Sequence, residues 1–197
     1  MKKIIPAVIL ACSLTAAHAT LFQYTVSFTG PGESPPNASP GIGSGTVDYD
    51  DFTHLMQLQC TFSGLTGTTT ASHIHAATAT PFTGTAGVAT TTPSFALFPL
   101  GVTSGSFSNT LDMTLSSSYN PSYVTANGGT TATAEAALAS AMFSGRAYWN
   151  IHSQTFPGGE IRGFLTLVPE PSSLALAGLG ALALAIRGSL RKHANHS

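Results

Sequence analysis

The feature that most constrains this chain is an alternation of apolar and polar residues that recurs along its middle. In residues 56–62 every second side chain is apolar and those between are Gln or Thr, and residues 107–115 follow a similar pattern. A period of two with one polar face predicts an antiparallel strand that buries a single face. Further strands are predicted over residues 22–29, 45–49, 71–77, 145–153 and 159–168. Short strands separated by Gly, Pro and Asp turns predict an all-β antiparallel sandwich or small barrel.

Two segments between the predicted strands have a different composition. Residues 30–40 are rich in Pro and Ser and are predicted to form an exposed loop. In residues 120–145, Asn120-Pro121 predicts a helix start, and the Ala-rich stretch 134–142 predicts a helix that ends at Gly145. Glu135 is expected in the first turn of that helix, where a negative charge suits the helix dipole.

The N-terminus has the pattern of a secretory signal peptide over residues 1–19. Lys2-Lys3 is followed by an apolar run over residues 4–14 and by Ala17-His18-Ala19, which predicts cleavage after Ala19. The apolar run is far shorter than the ~20 residues that a membrane-spanning helix needs. Lipoprotein processing at Cys12 is the alternative, and the bulky Leu10 argues against it.

The C-terminus combines three features over residues 169–197: Pro169-Glu170-Pro171, an apolar run over residues 174–186, and a basic end with Arg187, Arg191 and Lys192. By its physical character this is a stop-transfer helix of marginal length whose basic end stays on the cytoplasmic side. The three features resemble the PEP-CTERM sorting signal of Gram-negative bacteria. The resemblance implies a precursor that the export machinery leaves tethered transiently in the inner membrane by a C-terminal hydrophobic helix. An exosortase-type enzyme then releases it to the cell surface or extracellular matrix. A plain single-span anchor is the alternative.

The domain between these two ends, residues 20–168, is acidic. It contains no lysine and two arginines, Arg146 and Arg162, against seven acidic residues, so its formal net charge is −5 with histidine neutral. Such a domain lacks the basic surface that phosphate contacts require, which excludes nucleic acid as a partner. Cys60 is its only cysteine, so no disulfide can form within it, and we expect Cys60 in the core.

Three sequence motifs follow one another along the domain: Ser72-His73-Ile74-His75, Ala147-Tyr148-Trp149-Asn150-Ile151-His152 and Phe156-Pro157-Gly158-Gly159-Glu160-Ile161-Arg162-Gly163. In this order they resemble the CHRD domain, named for chordin, and the last motif is the most specific. The resemblance covers the whole domain, residues 20–168. It implies an immunoglobulin-like β-fold that has been likened to copper/zinc superoxide dismutase, and it implies no settled activity for the bacterial members.

Strand periodicity brings several polar side chains of these motifs to one face of the sheet. If Ile74 faces the core, the histidines on either side of it face away from the core together. The same argument applies to the strands predicted over residues 145–153 and 159–168. If Trp149 and Ile161 face the core there, their neighbours in sequence face away from it. The residues predicted on this face are His73, His75, Tyr148, Asn150, His152, Glu160 and Arg162.

This polar face has two interpretations. His73, His75 and His152 can form an open three-nitrogen site for copper or zinc. The dismutase likeness favours copper, because that enzyme too binds copper through a His-x-His pair outside its barrel. This chain lacks the bridging histidine, zinc-ligand loop and cysteine pair of that enzyme, so dismutase activity is not expected. The alternative is a hydrogen-bonded network under the long loops, formed by Tyr148, Asn150, Glu160 and Arg162. In it, Glu160 would pair with Arg162 or with the histidine rings. The network is the simpler expectation, since polar clusters more often fix loops than catalyse.

Three classes of function follow from these observations. The first, which we expect, is a non-enzymatic surface or matrix protein whose domain acts as an adhesion or scaffold module and contacts extracellular polysaccharide or proteins. The second is a transition-metal-binding protein that uses the three histidines. The third is an enzyme, and the sequence shows no Ser-His-Asp order, paired-carboxylate site or cofactor loop to support it.

Overall fold

The computed structural model describes residues 21–169, and the predicted all-β fold is confirmed. The strands are β1 (Leu21–Thr29), β2 (Ile42–Asp50), β3 (Leu55–Ser63), β4 (Thr69–His75), β5 (Gly105–Asp112), β6 (Tyr148–Ser153), β7 (Ile161–Phe164) and β8 (Thr166–Leu167). The predicted signal peptide with Ala17 and Ala19, the Glu170-Pro171 part of the sorting motif and the C-terminal helix lie outside the described residues. Within residues 21–169, no helix is both long and apolar enough to span a membrane.

All the strands pair antiparallel in one sheet. The order is β4-β6-β7-β1-β2-β3-β5, and the short β8 pairs with β1 beyond the end of β7. The sheet curls into a half-barrel, which brings its two ends towards each other. The rings of Trp149 on β6 and Phe107 on β5 therefore lie 6.3 Å apart although their strands are not neighbours in the sheet.

The core fills the inner face of this curled sheet, as the alternation predicts. On β3, Met56, Leu58, Cys60 and Phe62 are buried and the residues between them are exposed. Burial raises the pKa of the Cys60 thiol to about 12, so this cysteine is a core residue and not a reactive thiol. The outer face of β1, β2, β3 and β5 carries mainly Ser, Thr and Gln.

A long connection between β4 and β5, residues 76–104, covers the gap between the two ends of the sheet. Its Phe95 stacks on Phe107 with the ring centroids 5.7 Å apart and meets Trp149 edge-on at 5.8 Å. The backbone N–H of Phe95 also donates to the carbonyl of Ser72 on β4 (3.1 Å). This connection, which we call the cover loop, is thereby held against both the core and the free edge of β4.

Two helices lie in the predicted segment, α1 (Pro121–Ala126) and α2 (Thr131–Phe143). Asn120 caps α1, and Thr130 with Thr133 forms a capping box at α2. The capping box starts α2 at Thr131, so the expectation that Glu135 lies in the first turn is wrong. Glu135 instead accepts a hydrogen bond from the Tyr49 hydroxyl (2.7 Å), which ties α2 to the sheet.

Candidate metal centre

The predicted polar face is built on the antiparallel pair of β4 and β6. In their register His73 lies opposite Asn150, and Ala71 lies opposite His152. The alternate residues Ile74 and Trp149 are fully buried on the core side. Side-chain alternation therefore turns His73, His75 and His152 to the other side of the sheet, where their rings meet.

The three histidine rings form one cluster. The ring centroid of His73 lies 5.7 Å from that of His75 and 5.1 Å from that of His152. The centroids of His75 and His152 are 6.2 Å apart. Three potential ligand atoms, one from each residue, all lie within 4.8 Å of one another. The structure thus brings together the three residues that the sequence singled out as candidate ligands.

Each ring has one nitrogen that is hydrogen-bonded to a backbone carbonyl. His73 Nε2 contacts the Pro93 carbonyl at 2.5 Å, and His75 Nδ1 contacts the Ala86 carbonyl at 2.9 Å. His152 Nδ1 contacts the carbonyl of Pro157 at 2.8 Å. A carbonyl oxygen only accepts, so each of these nitrogens carries the proton, and in a neutral imidazole the other nitrogen then holds a free lone pair.

The remaining three ring nitrogens have no hydrogen-bond partner. His73 Nδ1, His75 Nε2 and His152 Nε2 are all buried and unpaired. Burial lowers the pKa of each histidine, in the case of His75 to about 4, and the neighbouring rings lower it further for His73 and His75. At neutral pH the rings are therefore neutral, which is the form of histidine that binds metals.

The site is shielded from water, although strand periodicity alone placed it on an outer face. Ala86 and Pro93 belong to the cover loop, which lies over the rings, and Pro157 belongs to the connection between β6 and β7. His73 and His75 are only 6% and 8% exposed. The face that points away from the core is thus a second buried layer.

Three of the four predicted network residues lie beside the cluster. The Tyr148 ring stacks on His75 with a centroid separation of 4.7 Å and an interplanar angle of 7°. The guanidinium of Arg162 lies 4.5 Å above the Tyr148 ring. Asn150 lies between His73 and Arg162 in the strand register and is 1% exposed.

Glu160 lies elsewhere, and the expected pair with Arg162 or with the histidine rings is wrong. Its carboxylate accepts hydrogen bonds from Ser39 Oγ (2.6 Å) and from the backbone N–H groups of Thr66 and Gly67. Burial alone would raise the pKa of Glu160, but a hydrogen bond from the Ser153 side chain, together with those from Ser39, Thr66 and Gly67, outweighs burial and holds the pKa below its usual value. Strand alternation fails here because β7 begins only at Ile161, after Gly159 with a φ of +134°.

The carboxylate that faces Arg162 is Glu33, which the sequence did not indicate. Glu33 Oε2 lies 3.7 Å from Arg162 Nε, and both side chains are buried. Arg162 also donates from Nε to the carbonyl of Gly32 and from Nη1 to that of Gly84 (3.0 Å). The predicted exposed loop 30–40 is therefore only partly exposed, since Glu33 and Ser39 are buried. No local pattern could reveal this, because Glu33 stands in a Pro-rich segment far from Arg162 in sequence.

The model of the CHRD domain matches residues 24–165, which include every residue of the cluster. The chain belongs to the CHRD family. The PEP-CTERM protein-sorting motif matches residues 167–192, so this CHRD protein is an exported protein that is sorted by an exosortase-type system at the membrane. Comparison with curated proteins and with solved structures gave no match.

The histidine cluster of the CHRD domain has the donor atoms and the surroundings of a metal site. Tetrahedral zinc with Zn–N bonds of about 2.0–2.1 Å places its nitrogen ligands roughly 3.4 Å apart. One ring nitrogen from each histidine lies within 4.8 Å of the other two, so the rings would have to approach one another when a metal binds. The carbonyls of Pro93, Ala86 and Pro157 accept from the protonated nitrogen of each ring and so fix its tautomer. Hydrogen-bond acceptors behind histidine ligands have the same effect in known metal sites.

The Glu33–Arg162 pair predicts a pH dependence of stability. Burial raises the pKa of Glu33 to about 7, and Arg162 opposes that shift only in part. The folded chain then holds this proton more tightly than the unfolded chain, so stability is lost as the pH rises from 4.5 to 7. Between pH 4 and pH 8 we expect wild-type CHRD protein to lose up to about 3 kcal/mol more unfolding free energy than Glu33→Gln.

Urea unfolding of both proteins across this pH range measures the difference. The histidines titrate in the same range, but they are common to both chains and cancel in the comparison. Parallel stability profiles for the two proteins would show that Glu33 keeps an ordinary pKa.

Proposed function

We propose that the CHRD domain of this exported protein binds a transition metal, zinc or copper, through His73, His75 and His152. The observation that supports this most is that three clustered histidines on one side of the sheet each have a buried ring nitrogen without a hydrogen-bond partner. Imidazole nitrogen is a preferred ligand of both metals.

The polar-network interpretation explains only half of the ring nitrogens. It accounts for the three that donate to backbone carbonyls, but it leaves the other three lone pairs buried without a partner. An unsatisfied buried polar group costs about 1–3 kcal/mol, and buried polar groups in folded proteins are nearly always paired. A metal cation satisfies all three lone pairs at once, which favours metal binding over a purely structural network.

Metal binding should stabilise the fold by mass action. At a free zinc concentration of 100 times Kd, we expect an increase of about 2.7 kcal/mol in the unfolding free energy of the wild-type protein. The double variant His73→Ala/His75→Ala should show no such increase, because it keeps a single ligand of the cluster. Calorimetric melting with zinc and with copper, and the metal content of the purified protein, provide the measurements.

His54→Ala is the matched control for this experiment. His54 is a half-exposed histidine that pairs with Glu135 (2.9 Å), away from the cluster, so its variant should keep the full metal-dependent shift. The double variant and the control both retain the histidines of the two chain ends. Equal shifts in the wild type and the double variant would place the binding outside the cluster and would refute the cluster as the site.

The other predicted properties of this protein are compatible with a metal centre. A role as an adhesion or scaffold module on the surface or in the extracellular matrix of a Gram-negative bacterium stays a prediction. So does removal of the tail near Pro169-Glu170-Pro171. A buried metal would support such a role by holding the cover loop and the β6–β7 connection on the sheet, since each supplies a carbonyl to a histidine ring.

A further inference from the structure

We infer that the side-chain oxygen of Asn150 is the fourth ligand of this centre, which makes it a closed site of three nitrogens and one oxygen. The inference rests on the proposed metal binding. It assigns to the centre a structural role, because sites with four protein ligands are structural and catalytic sites keep one position open.

The strand register places Asn150 among the three histidines. It lies directly opposite His73 on the neighbouring strand and two residues before His152 on its own strand. Opposite residues of an antiparallel pair have Cβ atoms about 4.5–5.5 Å apart, and residues i and i+2 share one face. The Asn150 side chain therefore extends from the same face as both rings and begins within a few ångströms of one of them.

The third histidine is also close to the Asn150 amide. The His75 ring lies within hydrogen-bonding reach of the Asn150 side chain. In the neutral ring, however, His75 Nε2 has no proton to donate, and Asn150 Oδ1 is an acceptor too. Both atoms are accordingly buried without a hydrogen-bond partner. A cation between these two acceptors satisfies both of them.

Several neighbouring donors bind other acceptors. The three ring N–H groups bind carbonyls, and the Tyr148 hydroxyl donates to the Ala86 carbonyl (3.3 Å). Arg162 donates to the Gly32 and Gly84 carbonyls. Asn150 Oδ1 is thus a fourth unpaired acceptor beside the three histidine nitrogens, on a residue that is 1% exposed.

This ligand set predicts which metal the centre takes and what it does there. Three imidazoles and one amide oxygen suit Zn²⁺ or Cu²⁺, whereas Cu⁺ prefers softer sulfur ligands. A closed site offers no labile water to be activated. The metal would then hold the cover loop on the sheet and would not act on a substrate.

Cobalt substitution tests whether the fourth position is closed. We would load the full-length protein with Co²⁺, record its visible absorption bands and add azide, a small anion that binds an open coordination position. The wild-type spectrum should not change with azide. Asn150→Ala should bind Zn²⁺ more weakly by about tenfold or more, and its Co²⁺ spectrum should become azide-sensitive, since water replaces the amide.

Two further variants complete the test. Asn150→Asp keeps the shape and supplies a carboxylate oxygen, so it should load Co²⁺ and stay insensitive to azide. Asn109→Ala removes an amide on β5 that bonds to the Ala96 carbonyl, and it should behave as the wild type does. An azide-sensitive wild type, or an Asn150→Ala variant that matches the wild type, would overturn the inference. Failure of the wild type to take up Co²⁺ would instead count against the proposed metal binding.

Discussion

Replacing Arg162 by methionine is expected to lower the unfolding free energy by about 3–5 kcal/mol, the usual cost of removing one partner of a buried ion pair. The guanidinium is 4% exposed and faces the Glu33 carboxylate at 3.7 Å. It also satisfies the carbonyls of Gly32 and Gly84 and covers the Tyr148 ring. Methionine retains much of the apolar contact but leaves a buried carboxylate and two carbonyls without their donor.

The loss should be larger at pH 8 than at pH 5, because Glu33 is mostly protonated at the lower pH and leaves no charge uncompensated. Denaturant unfolding at the two pH values measures both the loss and its pH dependence. Arg146→Met is the matched control, since Arg146 is half-buried and its Nε donates to the Thr78 carbonyl. We expect a loss of about 1 kcal/mol there. An equal loss in both variants would show that the ion pair adds no particular stability.

Replacing Trp149 by alanine is expected to destabilise the domain by about 3–5 kcal/mol through the cavity that it leaves. Its ring is fully buried and meets Phe28 edge-on at 5.4 Å, Phe95 at 5.8 Å and Phe107 at 6.3 Å. Its Nε1 donates to Ser72 Oγ (2.7 Å), which in turn donates to the Asn150 carbonyl. The substitution therefore removes core packing and a buried hydrogen bond together.

Chemical unfolding of the Trp149→Ala variant provides the measurement, with Leu97→Ala as the control. Leu97 lies in the same cover loop but is 88% exposed, so its truncation should change the unfolding free energy by no more than about 0.5 kcal/mol. Trp149→Phe should fall between the two. A loss below about 1 kcal/mol for Trp149→Ala would mean that the cover loop collapses into the cavity.

The Trp149 prediction also connects the core with the metal centre. Phe95 packs on Trp149, and Pro93, two residues earlier, gives its carbonyl to the His73 ring. Loss of Trp149 should therefore loosen the part of the cover loop that orients His73. We expect Trp149→Ala to bind zinc more weakly than Leu97→Ala, although neither residue is a ligand.

Much of the fold followed from local patterns in the sequence. The alternation in β3 predicted its buried and exposed residues correctly, because the direction of a side chain on a strand depends only on its position along that strand. Local capping and turn chemistry also predicted that a helix begins at Asn120-Pro121 and that the helical segment ends near Gly145. The extent of the last strands was less accurate, since the run predicted over residues 159–168 is divided at Leu165 into β7 and β8.

The same local rule placed His73, His75 and His152 on one face, but it could not predict that this face is covered. Burial of the cluster depends on the cover loop, whose Phe95 is anchored by core aromatic rings contributed by β5 and β6. Contacts of this kind join residues far apart in sequence and leave no periodic pattern. The unpaired nitrogens, which carry the metal proposal, therefore became visible only in the tertiary structure.

Two of the buried acidic residues, Glu33 and Glu160, show this division most directly. By itself the sequence determined the strands, the face of each regular side chain, the acidic charge of the domain and the two motifs by which its family and its sorting signal are identified. The tertiary structure alone decided that Glu33 is the partner of Arg162 and that Glu160 binds the backbone of Thr66 and Gly67. The reason is physical: a buried charge takes whichever partner the folded chain brings within reach, and strand periodicity ends where the backbone departs from the extended conformation, as it does at Gly159.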